Sequence, residues 1–215
     1  MSKAKKKEHN LLLDLDQTII SGEPLEELDL ENTYKEKHKL FKSDNMDDYY
    51  NIYSRPYLQE FLDYVFDNFN VTVWTAASKD YALFIVNKII LNKPGRKLDF
   101  IFFEYHCQLS KQINKYSKDL SILWDIYKLP GYSPQNTVIL DDYKKDVHKC
   151  QPNNCIIAIP FEFKKDGSEN DSFLKDIIPH LNNMKIRMNN GDSDIAHPIN
   201  YVTKTVKRRS KVVKN

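Results

Sequence analysis

The chain has 215 residues, 41% of them hydrophobic and 29% charged, with a formal net charge of +2. That length suits one domain with a sizeable core, and so small a net charge argues against nucleic-acid binding by the body of the protein. Cys107, Cys150 and Cys155 are odd in number and lack metal-type spacing, which argues against a disulfide framework and a thiolate zinc site and fits a reducing compartment.

Residues 1–9 read as a basic, disordered lead-in carrying Lys3, Lys5, Lys6 and Lys7. The first apolar run, Leu11 to Leu13 and Leu15, is cut by Asp14 and is too short for a signal peptide or a membrane span. It is apolar without alternation, as in a central strand of a parallel sheet. Residues 21–54 are polar, acidic and tyrosine-rich and read as a flap, with Tyr50 to Tyr53 returning as a strand. Pro56 is expected at a first helical position, before Tyr57, Phe61, Tyr64, Val65 and Phe69 at helical spacing. Val71 to Thr75 is a β-branched and aromatic strand, and Ser78 caps a helix over 79–91. Phe100 to Glu104 is expected to form a hairpin with a segment near Ile113, and Leu120 to Ile126 a helix. Thr137 to Leu140 and Ile156 to Ile159 are further apolar strands, and Asp171 to Met188 is a last amphipathic helix. Residues 189–215 are expected as a mobile tail, polar and then basic, leaving 10–188 as the folded domain.

Strands alternating with helices predict an α/β domain with a parallel sheet, whose ligands bind beyond the carboxyl ends of the strands. Such ends here carry Asp14 and Asp16, Thr75, and Asp141 and Asp142. Carboxylates two residues apart leave an extended strand on the same side. Burying two costs several kcal/mol each unless a cation offsets it, and Mg²⁺ suits oxygen ligands of this kind. Thr75, with the amides of Ala76 and Ala77 behind it, can hold a phosphate, and Lys118 can neutralise a carboxylate and phosphoryl oxygens. Each feature alone is more often bland: an exposed pair of aspartates, a turn threonine, a surface lysine.

Their order is more specific. Leu-Leu-Leu-Asp-Leu-Asp-Gln-Thr at 11–18, Arg55-Pro56, Val-Trp-Thr-Ala-Ala-Ser at 73–78 with Tyr81-Ala82, Lys118-Asp119-Leu120, Val-Ile-Leu-Asp-Asp at 138–142 and Gln-Pro-Asn-Asn at 151–154 resemble one known group. It is the haloacid-dehalogenase superfamily, in its FCP/SCP-like branch of RNA polymerase II C-terminal-domain phosphatases, also called NLI-interacting-factor-like. The resemblance implies a Rossmannoid parallel sheet flanked by helices, with small flap or hairpin insertions and no large cap. It implies that Asp14 attacks phosphorus to form an aspartyl-phosphate while Asp16 serves as acid and then base. Mg²⁺ is expected among the Asp14 carboxylate, the Asp16 carbonyl and Asp142, with Asp141 as ligand or as a supporting partner. Thr18, Thr75 and Lys118 are expected at the phosphoryl group, and Arg55 and Asn154 at the rim or behind it. The implied substrate is a phosphoserine or phosphothreonine protein, with the polymerase C-terminal domain as a candidate.

Gln17 stands where the group usually has Glu, and Asp142 where many members have Asn. The resemblance implies a stand-alone catalytic domain, intracellular, in nucleus or cytoplasm. Peptide selection is expected at residues 21–54 and about 96–117, where Tyr49, Tyr50, Tyr53, Phe102, Phe103 and Tyr105 either clasp substrate or pack as core. Two other readings stay open: a catalytically silent interaction protein on the same fold, and a nucleic-acid end phosphatase. The second draws on the basic ends, whose Lys207-Arg208-Arg209 also suits a nuclear address.

Overall fold

The structure is a computed structural model that describes residues 7–196. Its elements, in chain order, are β1 (Asn10–Leu13), β2 (Ile20–Pro24), α1 (Lys35–His38), β3 (Ser43–Met46), β4 (Tyr50–Ser54), α2 (Leu58–Asn68), β5 (Asn70–Trp74), α3 (Lys79–Ile85), β6 (Leu98–Phe102), α4 (Glu104–Asn114), β7 (Thr137–Asp141), β8 (Cys155–Ile157) and α5 (Phe173–Asn190). The unbroken apolar run of β1 takes the middle of a five-stranded parallel sheet of order β6-β5-β1-β7-β8. A central strand of such a sheet is covered on both faces, so β1 needs no polar side.

Successive residues of β1 face opposite layers. Leu11 and Leu13 join the larger core, with Phe61 and Val65 of α2, Ile85 of α3 and Leu174, Ile177 and Leu181 of α5. Leu12 joins the other, with Trp74, Leu120, Leu123, Ile139 and Cys155. Burying each leucine is worth about 1.5–3 kcal/mol. The amino ends of the strands are tied by amides: Asn10 Nδ2 donates to the Gly131 carbonyl at 2.8 Å, and Asn70 Nδ2 donates to Asn10 Oδ1 at 2.9 Å. The carboxyl ends are left to the carboxylates.

Residues 20–54 do form a flap, an antiparallel sheet of order β2-β4-β3. It has its own small core, in which the Tyr53 ring stacks on Phe163 with centroids 3.6 Å apart.

Several expectations change. No hairpin joins 100–104 to 113: β6 is a parallel edge strand beside β5, and the chain then enters α4. Phe102, packed on Trp74, and Cys107, buried in the same layer, fix that arrangement. Leu120 to Ile126 is helical as expected but short, a wide π-helix over Ile122–Ile126. Helix α2 starts at Leu58, because Tyr57 takes a left-handed conformation with φ 64°. At the end of the domain, α5 continues to Asn190, and Ile195 and Ala196 are buried in the larger core. The Ala196 amide donates to the Asn153 carbonyl at 3.0 Å, so residues 189–196 pack with the domain. Lys7 is likewise held, donating to the carbonyls of Phe66 and Phe69. The other basic residues of the two ends, and the tail expected beyond 196, lie outside the described residues.

Candidate active site

Asp14 leaves β1 while its amide still pairs with the Leu140 carbonyl at 3.0 Å, which sets its side chain beside the end of β7. The chain then turns tightly: Leu15 O accepts from the amides of Thr18, Ile19 and Ile20, with Gln17 at φ 58°. The turn brings Thr18 Oγ1 to Asp14 Oδ2, to which it donates at 3.0 Å. The Gln17 side chain is exposed.

Lys118 reaches the same point from a loop. Its Nζ donates to Asp14 Oδ1 at 2.6 Å and to Asp141 Oδ2 at 2.7 Å, and all three side chains are buried. The loop is pinned on both sides. Gln151 accepts from the Leu120 amide and donates to the Lys118 carbonyl, both at 2.8 Å. Ser117 N donates to Asp146 Oδ1 at 3.0 Å. Asp141 is fully engaged, its Oδ1 accepting from the Tyr143 amide at 2.8 Å.

Carboxylate oxygens of Asp14, Asp141 and Asp142 lie within 4.8 Å of one another. One ammonium faces these three groups, so negative charge is in excess. Burial pushes the Asp14 carboxyl up to about 7, against the opposing pull of Lys118. Burial also raises Asp142, helped by the charge of Asp141, and raises Asp16. Burial alone would lower Lys118, but Asp14 and Asp141 outweigh it and hold the ammonium above its ordinary range. A cluster of hard oxygen donors with surplus negative charge fits a small divalent cation such as Mg²⁺.

Asp14, Asp16, Thr75, Lys118, Asp141 and Asp142 line one cleft of about 450 Å³. Thr75 sits just past β5, its Oγ1 accepting from the Ala77 amide at 3.1 Å. The Asp16 carboxylate is not part of the three-carboxylate group; its Oδ1 accepts from the Tyr81 hydroxyl at 2.6 Å. Thr18 backs Asp14 instead of lining the cleft.

Arg55 and Asn154 are not at the rim. Arg55 is buried and makes a two-pronged pair with Asp171, both bonds 2.9 Å, while its Nη1 donates to the Thr18 carbonyl at 2.8 Å. It braces the turn after Asp14 from behind. Asn154 Nδ2 donates to the carbonyls of Pro134 and Thr137 at 2.6 and 2.8 Å, beside a different depression. Of the aromatic residues, Tyr53 and Phe102 are core, and Tyr49 and Tyr105 are exposed. Glu104, Gln108 and Lys111, from the unforeseen α4, form a wall of the cleft. Tyr81 was also not singled out for the site, although its place three residues after the Ser78 cap sets it on the first turn of α3.

A profile of the NLI interacting factor-like phosphatase family matches residues 9–193. The chain belongs to this family. It is 46% identical over 181 residues to a CTD phosphatase-like protein, 355R, of Invertebrate iridescent virus 6, covering 80% of this chain and 99% of the relative. The corresponding protein of Invertebrate iridescent virus 3 is 39% identical over 181 residues, covering 81% and 96%. Among solved structures, that of Fcp1, an essential RNA polymerase II CTD phosphatase, superposes with TM-score 0.50 at 17% identity, over 96% of this chain and 54% of that one. A fission yeast Fcp1 variant bound to beryllium fluoride gives 0.51 at 18% identity, over 92% and 56%. At that identity the likeness shows the fold, and this chain spans only about half the length of those structures. Family and fold make it a phosphatase-type hydrolase of the haloacid-dehalogenase superfamily, with an α/β parallel sheet flanked by helices. Among the described residues, no helix is long and apolar enough to cross a membrane.

Proposed function

We propose that this protein is a Mg²⁺-dependent phosphoprotein phosphatase acting on phosphoserine or phosphothreonine through an aspartyl-phosphate at Asp14. The observation that carries this reading is the buried Lys118 ammonium shared between Asp14 at 2.6 Å and Asp141 at 2.7 Å. Such a fixed cation pulls a buried nucleophilic carboxylate back toward its ionised form and meets the charge on a transferring phosphoryl group.

An Asp14 oxygen attacks phosphorus in line. The new Asp14–O–P bond forms as the bond from phosphorus to the serine or threonine oxygen breaks, and Asp16 gives that oxygen its proton. Water then attacks phosphorus and yields a proton to Asp16, releasing inorganic phosphate and free Asp14. Thr75 and Lys118 hold phosphoryl oxygens, and Thr18 orients Asp14 through its 3.0 Å bond. Asp14 and Asp142 are the carboxylates for Mg²⁺; Asp141, already occupied, fixes Lys118. When bound, Mg²⁺ neutralises the excess negative charge and polarises the phosphoryl group.

A protein substrate is favoured because the sheet that the described residues add to the parallel core is only the three-stranded flap, with no separate cap domain over the cleft. The relatives named CTD phosphatase-like, beside the Fcp1 structures named for RNA polymerase II, support that polymerase's C-terminal domain as a candidate.

The test is hydrolysis of p-nitrophenyl phosphate with and without Mg²⁺, wild type beside Asp14→Asn. Magnesium-dependent turnover that disappears in the variant is the expected result, and phosphopeptide and DNA-end substrates follow. A folded protein with no turnover from mildly acidic to neutral pH would point instead to a silent binding module.

A further inference from the structure

We infer that Tyr81 is the positioning residue for Asp16, and that Gly22 is glycine because only a bare Cα lets the Tyr81 hydroxyl reach. The inference rests on the phosphatase reading, in which Asp16 moves the proton to and from the leaving oxygen.

Asp14 is held by Lys118 and Thr18, and Asp141 by Lys118 and the Tyr143 amide. Asp16 lies on the same cleft, half-buried, outside that network. Its one side-chain partner by hydrogen bond among the described residues is the Tyr81 hydroxyl, at 2.6 Å, across 65 residues of sequence. The backbone at Asp16 and Gly22 also hydrogen-bonds this carboxylate, and the short bond to a buried phenol is the side-chain contact that sets its rotation. Tyr81 is itself fixed. Its amide is capped by Ser78 Oγ at 3.4 Å, and the Tyr50 ring of the flap meets its ring edge-on, with centroids 5.6 Å apart.

The flap strand β2 passes so close that a Cβ at Gly22 would stand 1.9 Å from Tyr81 Oη and 3.2 Å from Asp16 Oδ1. No side chain fits there while the pair is intact. The sequence Asp16, Gly22 and Tyr81 is thus one device, drawn from the catalytic turn, the flap and α3. It aims the proton donor at the side of the cleft where the leaving group departs.

The proton matters unequally among substrates. A serine alkoxide is a poor leaving group and needs protonation as the bond to phosphorus breaks, whereas p-nitrophenolate departs without it. Tyr81 therefore favours alkyl phosphates such as phosphoserine over aryl phosphates, through Asp16.

The experiment measures the first-turnover rate of the Mg²⁺-loaded full chain on a phosphoserine peptide and on p-nitrophenyl phosphate. Wild type is compared with Tyr81→Phe, Gly22→Ala and Asp16→Asn. First turnover isolates phosphoryl transfer to Asp14 from the later hydrolysis. Tyr81→Phe, which keeps the ring and its packing, is expected to slow the peptide roughly 10- to 100-fold and the aryl substrate by no more than about 3-fold. Gly22→Ala is expected to show the same split, since it displaces the hydroxyl without removing it. Equal losses on both substrates, or none on either, would overturn the inference provided Asp16→Asn shows the split. If Asp16→Asn shows no split, the role given to Asp16 fails, and the inference falls with it.

Discussion

Lys118 Nζ and Asp14 Oδ1 lie 2.6 Å apart with both side chains almost wholly withdrawn from solvent. Asp141 completes a buried three-membered charge group around the same ammonium. Removing the lysine leaves two carboxylates without their counter-charge, the costly way to break a buried pair. Lys118→Met is expected to lower the unfolding free energy of the metal-free protein by about 3–5 kcal/mol and to reduce kcat by at least ~10²-fold. Urea denaturation and phosphatase assays check the two effects separately. Wild-type stability with activity lost would mean that Lys118 serves the substrate alone.

Thr18 makes a narrower contribution, one hydrogen bond to Asp14 Oδ2 at 3.0 Å from a fully buried position. Thr18→Val preserves shape and removes the donor. The expected loss is about 1–2 kcal/mol of stability, with kcat reduced roughly tenfold and KM little changed. Thr18→Ser, which restores the hydroxyl, is expected to recover most of kcat. A rise in KM without a fall in kcat would instead return Thr18 to the substrate.

That Asp14, Asp16, Thr75, Asp141 and Asp142 gather at one end of the sheet was legible in the sequence because a parallel sheet fixes where strand ends go, and the apolar runs locate those ends; Lys118, on a loop, was pointed to only by the order of the motifs. What was not legible depends on contacts far apart in the chain. Arg55 reads as a group at the rim or behind it until it is seen that Asp171, 116 residues later, holds its guanidinium inside. Helix α4 hid for another reason: part of its buried side is polar. Ser110 is fully buried, donating to the Tyr116 carbonyl at 2.7 Å and accepting from the Asp119 amide at 3.0 Å. A helix that buries a serine offers no clean apolar period. The same bonds shape the loop that carries Lys118, so the helix missed in the sequence supports a residue that was found.

Arg55 gives a third prediction, which separates bracing from substrate contact. Its bonds to Asp171 and to the Thr18 carbonyl hold the turn after Asp14 in place. Arg55→Gln is expected to destabilise by about 3–5 kcal/mol, and Arg55→Lys by less, since an ammonium keeps the charge opposite Asp171 although it cannot make the two-pronged pair. Thermal denaturation reads the loss. KM for a phosphopeptide is expected to stay within about 2-fold of wild type at a temperature where the variant is folded. A selective rise in KM would put Arg55 back at the rim.

The proposed metal dependence would carry a pH signature. In the metal-free protein, burial holds the Asp14 carboxyl at about 7, while an unfolded aspartate titrates near its ordinary value of about 3.9. Between those values the folded state binds more protons than the unfolded state. By linkage, this group's contribution makes metal-free stability fall as pH rises through that window, and level off above it. Mg²⁺ needs the ionised carboxylate, so it competes with the proton at low pH and meets none at high pH. The rise in Tm on adding Mg²⁺ is therefore expected to be larger at about pH 8 than at about pH 5.5. Asp142→Asn is expected to shrink it at both. Differential scanning fluorimetry over a Mg²⁺ series at each pH makes the measurement. An equal shift at the two pH values would mean that the cation is held by groups other than Asp14.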